Sequence, residues 1–389
     1  MMVWTIATAT MCYCHTIGKF ISHGKARLVA IFPAILILLL LPLRLISIHL
    51  GGPTSFFLAW LSTFKLLLFA LGKGPLSSNP PLPFSHFVPL SLLPIKLFQT
   101  QHQPHLSNTQ NSHTNLPSDK IPEKADVDVN NLTPPDNKDV SRNMQNSQVT
   151  KKGHKSPLHK VYAIMVFVLA LLIPLYANKE VLHPKFILFL YCLHMYIGLE
   201  FLFGLTSLSA RKLHGLELEP QFNEPYLCTS LQDFWGRRWN LMVNRILHPT
   251  IYEPVVNEST RFIGRKWASM IGVLATFTVS GLMHELVFYY IKREKRTWET
   301  WEPSWDSMCF FVLHGVCLAI ELALKKALKG KWQLPRLVSW LLTVVFVFYT
   351  AVSLFVPALV RCHVYEKGIR ELNVIAELGK DFYGLLRFV

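Results

Sequence analysis

The 389-residue chain is 51% hydrophobic and only 16% charged, against about 25% charged residues in soluble globular chains, which argues against a water-soluble enzyme. Its formal charge of +15 is the kind of excess that marks cytosolic loops in a membrane protein, and no zinc-finger spacing or base-reading basic helix points to nucleic acid. The seven Cys lie mostly inside apolar stretches, with Cys12 and Cys14 as an isolated C-x-C pair, so neither a disulfide framework nor a metal site is indicated.

Residues 1–17 are moderately apolar with no basic residue ahead of them, while Lys19, Lys25 and Arg27 follow. This order predicts a membrane segment inserted amino end outward, not a cleaved secretory peptide. Residues 28–50 form the strongest apolar run, interrupted by Arg44, and residues 53–71 form the next, carrying Lys65. Both reach the roughly 20 residues a spanning helix needs. The Pro- and Leu-rich stretch 72–98 is too broken for a straight span and is read as an interfacial segment or broken hairpin. Between 99 and 157 the composition turns to Asn, Ser, Gln, His, Pro, Lys and Asp, too poor in large apolar residues to bury a core, so a disordered polar loop is expected. Apolar runs resume at 158–176 and 185–208. The mixed stretch 209–266 follows, then runs at 267–291, 306–324 and 334–360, and a short charged tail. The expectation is an all-α polytopic membrane protein of about eight spans, organised as N-terminal membrane helices 1–98, the polar loop 99–157 and a C-terminal membrane region 158–389. No internal repeat supports an inverted-repeat transporter.

Parity gives the sidedness. Loop 323–336 holds Lys325, Lys326, Lys329, Lys331 and Arg336 with no acid after Glu321, so it is expected in the cytosol. Counting back in pairs of crossings places 209–266, 99–157 and the Lys19, Lys25, Arg27 turn on the same side. Loop 292–305 runs against the rule: Lys292, Arg293, Lys295 and Arg296 fall on the far side. The Asn-x-Ser/Thr acceptors at Asn131 and Asn257 are then cytosolic and unglycosylated.

Polar residues at membrane depth are costly and therefore informative. In SGLMHELVFYY, residues 280–290, His284 and Glu285 lie well inside an apolar run. Ser280 and Gly281 stand one turn before His284, which leaves space for a ligand or for a neighbouring helix. His194, His314, Glu200 and Glu321 are read as satisfied partners in buried hydrogen bonds or snorkelling ends, and Arg44 and Lys65 as interfacial or paired. In LQDFWGRRWNLMVNRILHPTIYEP, residues 231–254, a helical reading gives an apolar stripe of Trp235, Trp239, Met242 and Ile246. Arg237, Asn240, Asn244 and His248 form a polar stripe on another face, and Pro249 is expected to end the helix. The pattern fits an interfacial helix, with Arg237, Arg238 and Arg245 suited to phosphate groups of a ligand or of anionic lipids. There is no Gly-rich phosphate loop and no Gly-x-Ser-x-Gly elbow.

FWGRRWN, residues 234–240, followed by the intramembrane His284 in SGLMHEL, resembles the plant wax-synthase-like and acyl-CoA:sterol O-acyltransferase branch of the membrane-bound O-acyltransferases. The stretches LELEPQFNEPYLCTSLQDFWGRRWNLMV, FFLAWLSTFKLLLFALGKGPLS and ELALKKALKGKW extend the resemblance over essentially the whole chain, the polar insert 99–157 excepted. It implies a multi-pass enzyme of the endoplasmic reticulum with a reaction chamber inside the membrane, His284 as catalytic histidine and Asn240 as second signature residue. The polar stripe and the parity argument suggest a cytosolic entrance lined by Arg237 and Arg238 and leading inward to His284, and Trp235, Trp239, Ser280 and Glu285 are the other residues expected to contribute to substrate binding. The residue types suit the chemistry. A neutral imidazole can accept the proton of an attacking hydroxyl, and an amide can donate to a developing oxyanion. Neither metal nor cofactor is required, acyl-CoA being the co-substrate.

The leading expectation is an acyl-CoA-dependent O-acyltransferase making steryl esters by direct transfer, with a long-chain fatty alcohol as the alternative acceptor. The expected partners are fatty acyl-CoA, a sterol or long-chain alcohol, and the bilayer. The intramembrane His194, Glu200, His284, Glu285, His314 and Glu321 also admit a proton-linked transporter, and the polar loop a non-catalytic lipid-binding scaffold.

Overall fold

The structure, a computed structural model, describes residues 2–78, 80–94, 158–178, 180–214, 220–294, 302–328 and 334–386. The chain divides into two units, residues 1–98 with 165–389 and residues 99–164. Of the second only 158–164 is described, and the expected disordered loop 99–157 lies outside the described residues.

Every described element is helical. Apolar runs become helices because hydrocarbon offers backbone N–H and C=O groups no other partners. The long ones are α1 (Met2–Phe20), α2 (Lys25–Arg44), α3 (Ile48–Ala70), α5 (Leu158–Ala177), α6 (Pro184–His214), α9 (Glu253–Lys292), α10 (Asp306–Leu328), α11 (Arg336–Arg361) and α12 (Val364–Leu386). The short ones are α4 (Phe84–Leu92), α7 (Leu231–Asp233) and α8 (Leu241–Leu247). Six stretches among the described residues are long and apolar enough to cross a membrane: α2, α3, α6, the run from α8 through α9, α10 and α11. This establishes a helical multi-pass architecture. Eight such stretches are not found, since α1 and α5 fall short in apolar length or hydropathy.

The helix α3 is the inner one. Most of it is buried, with Trp60, Leu58 and Leu61 at the centre. Its Lys65 is neither interfacial nor ion-paired. The ammonium is fully buried and donates to the carbonyls of Leu90 (2.6 Å) and Leu93 (2.5 Å), satisfying the carboxyl end of α4. The segment 72–98 thus folds partly as a short helix clipped onto the bundle. Arg27 likewise turns inward, donating to the carbonyls of Gly18, Ile21 and Phe69.

Two glycines set the α9–α10 contact. A Cβ on Gly281 would lie 2.8 Å from Met308 Sδ, and one on Gly315 2.9 Å from Phe277 Cβ, so only glycine permits this approach. The expected charged tail is instead a 23-residue helix, α12. Its Glu371 carboxylate accepts from the Ile48 and His49 N–H groups and the Ser47 hydroxyl, capping the start of α3. The basic loop that broke the sidedness rule is explained in part: Lys292 pairs with Glu302 at 3.0 Å, and buried Arg293 donates to the Leu43 carbonyl at 2.9 Å. Both cations are used by the fold itself.

Candidate active site

The geometry of His284 follows from its place on α9. Its Nδ1 lies 2.8 Å from the Ser280 carbonyl oxygen, one turn back. A carbonyl only accepts, so Nδ1 carries the proton and Nε2 presents a lone pair. Around the imidazole stand Trp60 (ring centroids 4.8 Å apart), Phe311 (4.3 Å, stacked) and Phe355 (5.4 Å). The sequence left open whether the small residues before His284 serve a ligand or a helix. They divide the work: Gly281 meets α10, while Ser280 lines a cavity.

The 231–254 stretch is not one amphipathic helix. The chain runs from α7 into a π turn at Phe234–Arg238 and breaks at Trp239 and Asn240 before α8 begins. Asn240 has φ 41° and ψ 62°, the left-handed region that asparagine tolerates better than most residues. Its Oδ1 accepts from Val243 N–H at 3.5 Å as the cap of α8, which leaves its Nδ2 donor for another partner. Pro249 does not end the helix either: a π stretch at His248–Tyr252 absorbs it, and the chain continues into α9. The break turns both stripes, so Trp235, Trp239, Asn240 and Asn244 all face inward and are not interfacial anchors.

These residues and His284 line one cavity of about 520 Å³, walled mostly by aromatic and aliphatic side chains. Along α9 its lining extends from Thr276 to Ile291, about 22 Å of helix at 1.5 Å per residue, with His284 near the middle. Three π stretches contribute to the wall: Phe56 and Trp60 from Phe56–Ser62, Phe234 and Trp235 from Phe234–Arg238, Ala351 and Phe355 from Ala351–Phe355. Each adds a residue to a turn and swings side chains toward the interior. Hydropathy carries no trace of such bulges, which is why Trp60 and Phe355 escaped sequence reasoning; Phe311, on the regular helix α10, is one apolar residue among many in its run.

Of the expected site residues, Trp235, Trp239, Asn240, Ser280 and His284 come together at the cavity; Arg237, Arg238 and Glu285 do not line it. Arg238 is committed elsewhere, pairing with Asp233 at 2.7 Å and donating to the carbonyls of Asn223 (3.2 Å) and Glu224 (3.0 Å). It braces the loop before α7 and is no free phosphate ligand. Arg237 is exposed beside it. Glu285, a helix position past His284 and so turned about 100° away, is buried and accepts from Ser304 N–H (2.9 Å), Ser304 Oγ (2.8 Å) and Ser307 Oγ. It ties the start of α10 to α9.

The other intramembrane ionisable groups are engaged as structural partners. Trp235 donates from Nε1 to His314 Nδ1 at 3.1 Å, and His314 donates from Nε2 to Thr350 Oγ1 at 2.8 Å. This relay fixes the indole in the cavity wall. His194 Nδ1 lies 3.2 Å from the Tyr176 hydroxyl, Tyr196 pairs with Glu200, and Glu321 accepts from Leu231 N–H at 2.8 Å. No group of three His, Cys, Asp or Glu side chains among the described residues is arranged to hold a metal.

Comparison with known proteins gives the arrangement a context. The family model described as the membrane bound O-acyl transferase family matches residues 218–313, a segment that contains Trp235, Asn240, Ser280 and His284. The chain is 38% identical over 379 residues to acyl-CoA–sterol O-acyltransferase 1 of Arabidopsis thaliana, covering 97% of this chain and 95% of that one. It is 41% identical over 386 residues to the long-chain-alcohol O-fatty-acyltransferase of Simmondsia chinensis, covering 99% and 96%. A probable long-chain-alcohol O-fatty-acyltransferase 1 of Arabidopsis thaliana is 37% identical over 383 residues, covering 98% and 96%.

Proposed function

The chain belongs to the membrane-bound O-acyltransferase family, and from that premise we propose that it transfers a fatty acyl group from acyl-CoA to a sterol hydroxyl, in the membrane of the endoplasmic reticulum. The observation that carries the proposal is the imidazole of His284, with Nδ1–H held on the Ser280 carbonyl and Nε2 unprotonated, in the same cavity as Asn240.

Chemistry follows from that pairing. Nε2 accepts the proton of the acceptor hydroxyl as its oxygen bonds to the thioester carbon. The Asn240 Nδ2 donates to the carbonyl oxygen as negative charge collects there, its Oδ1 being held by α8. The C–S bond then breaks, and the departing CoA thiolate takes the proton back from the imidazolium. No acyl-enzyme and no metal enter these steps. A cavity extending both ways from His284 suits two lipids that meet end to end, one arm for the acyl chain and one for the acceptor. The CoA nucleotide stays in water, and with Arg238 committed to Asp233, exposed Arg237 is the side chain assigned to its phosphates.

Flat aromatic walls support the sterol. Trp239 stacks on Phe234 (centroids 5.4 Å, planes 21° apart) and on Tyr196 (6.0 Å, 27°), and a rigid fused ring loses little freedom against such faces. A long-chain alcohol is the second reading, favoured by the 41% identity to the Simmondsia chinensis protein. The test is expression in a yeast strain without its own steryl-ester synthesis, fed sterol and hexadecanol together. Steryl esters are the expected product. Hexadecyl esters alone transfer the assignment to the second reading, and the absence of both refutes the proposal.

A further inference from the structure

The chain leaving Asn240 makes a helical hairpin whose tip points away from the cavity. One arm consists of α8, the π stretch His248–Tyr252 and the first turns of α9. At Gly264 the backbone leaves the helix, with φ 73° and ψ 158°, values that favour glycine. The second arm returns as the rest of α9, and packing shows the reversal: a Cβ on Gly272 would lie 2.6 Å from Val256 Cγ2 and 2.9 Å from Tyr252 Cδ2. At its base, Glu253 lies 3.9 Å from Lys73, just past the end of α3.

The tip combines two features that a water-facing loop has no use for. Phe262 is 84% exposed and Trp267 58% exposed, on either side of the Gly264 break. Arg261, Arg265 and Lys266 are exposed between and beside them. Glu258 neutralises Arg261 at 3.0 Å, whereas Arg265 and Lys266 face no acid among the described residues. Two large aromatics beside uncompensated cations match a surface that is apolar just beneath a layer of negative charge.

We propose that this tip docks on an anionic lipid headgroup surface. Phe262 and Trp267 enter the boundary between headgroups and acyl chains, where tryptophan is favoured. Arg265 and Lys266 engage the lipid phosphates and carboxylates. Because the first arm begins at Asn240, docking also steadies the backbone that presents the Asn240 amide to the cavity.

The experiment uses the full-length protein in nanodiscs of phosphatidylcholine alone or with phosphatidylserine added, reading amide hydrogen exchange of residues 253–267 by mass spectrometry. With phosphatidylserine, exchange is expected to slow roughly thirtyfold if each of the two cations contributes as basic residues do near anionic membranes. The slowing is expected to disappear at high salt and in Arg265→Glu/Lys266→Glu. Phe262→Ser/Trp267→Ser is expected to raise exchange in both disc types. None of the four side chains lines the cavity, so ester synthesis in detergent serves as the folding control. Should the charge-reversal variant fail that control, the salt titration of the unaltered protein reads the same contribution. Equal exchange in both disc types and at all salt concentrations overturns the proposal. So does protection that follows the number of protein copies per disc and not the lipid, which would assign the tip to a second copy.

Discussion

Asn240 allows structure and chemistry to be tested separately, because its Oδ1 caps α8 while the proposed mechanism assigns the oxyanion contact to its Nδ2. The residue sits at φ 41° and caps α8 through Oδ1, at a long 3.5 Å. Alanine there loses the cap, worth about 1 kcal/mol, and takes on the left-handed penalty of about 1–2 kcal/mol. With so long a cap bond, Asn240→Ala is expected to destabilise the protein by about 2 kcal/mol in all. Aspartate tolerates the same backbone and keeps a capping oxygen, but replaces the Nδ2 donor with a second oxygen. Loss of one oxyanion donor typically lowers kcat by about 10²–10³. The assay is ester formation from acyl-CoA and a lipid alcohol by purified protein, alongside the thermal midpoint in detergent. Asn240→Asp is expected to lose at least about a hundredfold in kcat with its midpoint unchanged, and Asn240→Ala to lose both. An aspartate variant within a few-fold of the unaltered turnover refutes the reasoning and leaves Asn240 a purely structural residue.

Other expectations follow from the same geometry. Arg237→Ala is expected to raise the acyl-CoA KM several-fold, more so at low ionic strength. Arg238→Ala, which strands Asp233 and two carbonyls, is expected to lower stability by about 1–3 kcal/mol with KM unchanged; the reverse pattern contradicts the division of roles. At α12, burial pushes the Glu371 carboxyl up, but hydrogen bonds from Ile48 N–H, from the His49 ring and N–H and from the Ser47 hydroxyl outweigh it and hold the group below its ordinary value. Because the folded value is the lower one, this contribution is complete above the unfolded carboxyl pKa of about 4.3 and is lost as pH falls through the folded value. The stability difference between the unaltered protein and Glu371→Gln is therefore expected to shrink on acidification below about pH 4; a difference constant with pH contradicts it.

Hydropathy made the membrane helices legible because hydrocarbon leaves an apolar run no alternative to a helix, and it placed the boundaries of α3, α6, α10 and α11 within a few residues. His284 was legible for the same reason, as a polar group at a depth where one is costly. Lys65 shows the limit of that argument: the same depth produced a cation whose role is to close the end of α4. The 231–254 stretch misled because periodicity assumes a continuous helix. The stripe Trp235, Trp239, Met242, Ile246 is real in spacing, yet the left-handed turn at Asn240 interrupts the helix that would carry it, and one left-handed residue leaves no mark on a period. Pro249 deceived similarly, since a π stretch can dispense with the N–H that proline lacks. The tail read only as short and charged because charged residues interrupt its apolar ones, whereas α12 is fixed by Glu371 reaching residues more than 300 positions earlier, a contact no local pattern contains.

The most direct measurement is single-turnover ester formation by His284→Gln at matched protein abundance, with acyl-CoA binding measured in parallel. Glutamine retains hydrogen-bonding capacity but no basic nitrogen. Removal of a general base should slow acyl transfer by about 10²–10⁴ while acyl-CoA still binds. Transfer at a rate within a few-fold of the unaltered protein would contradict the role assigned to the imidazole.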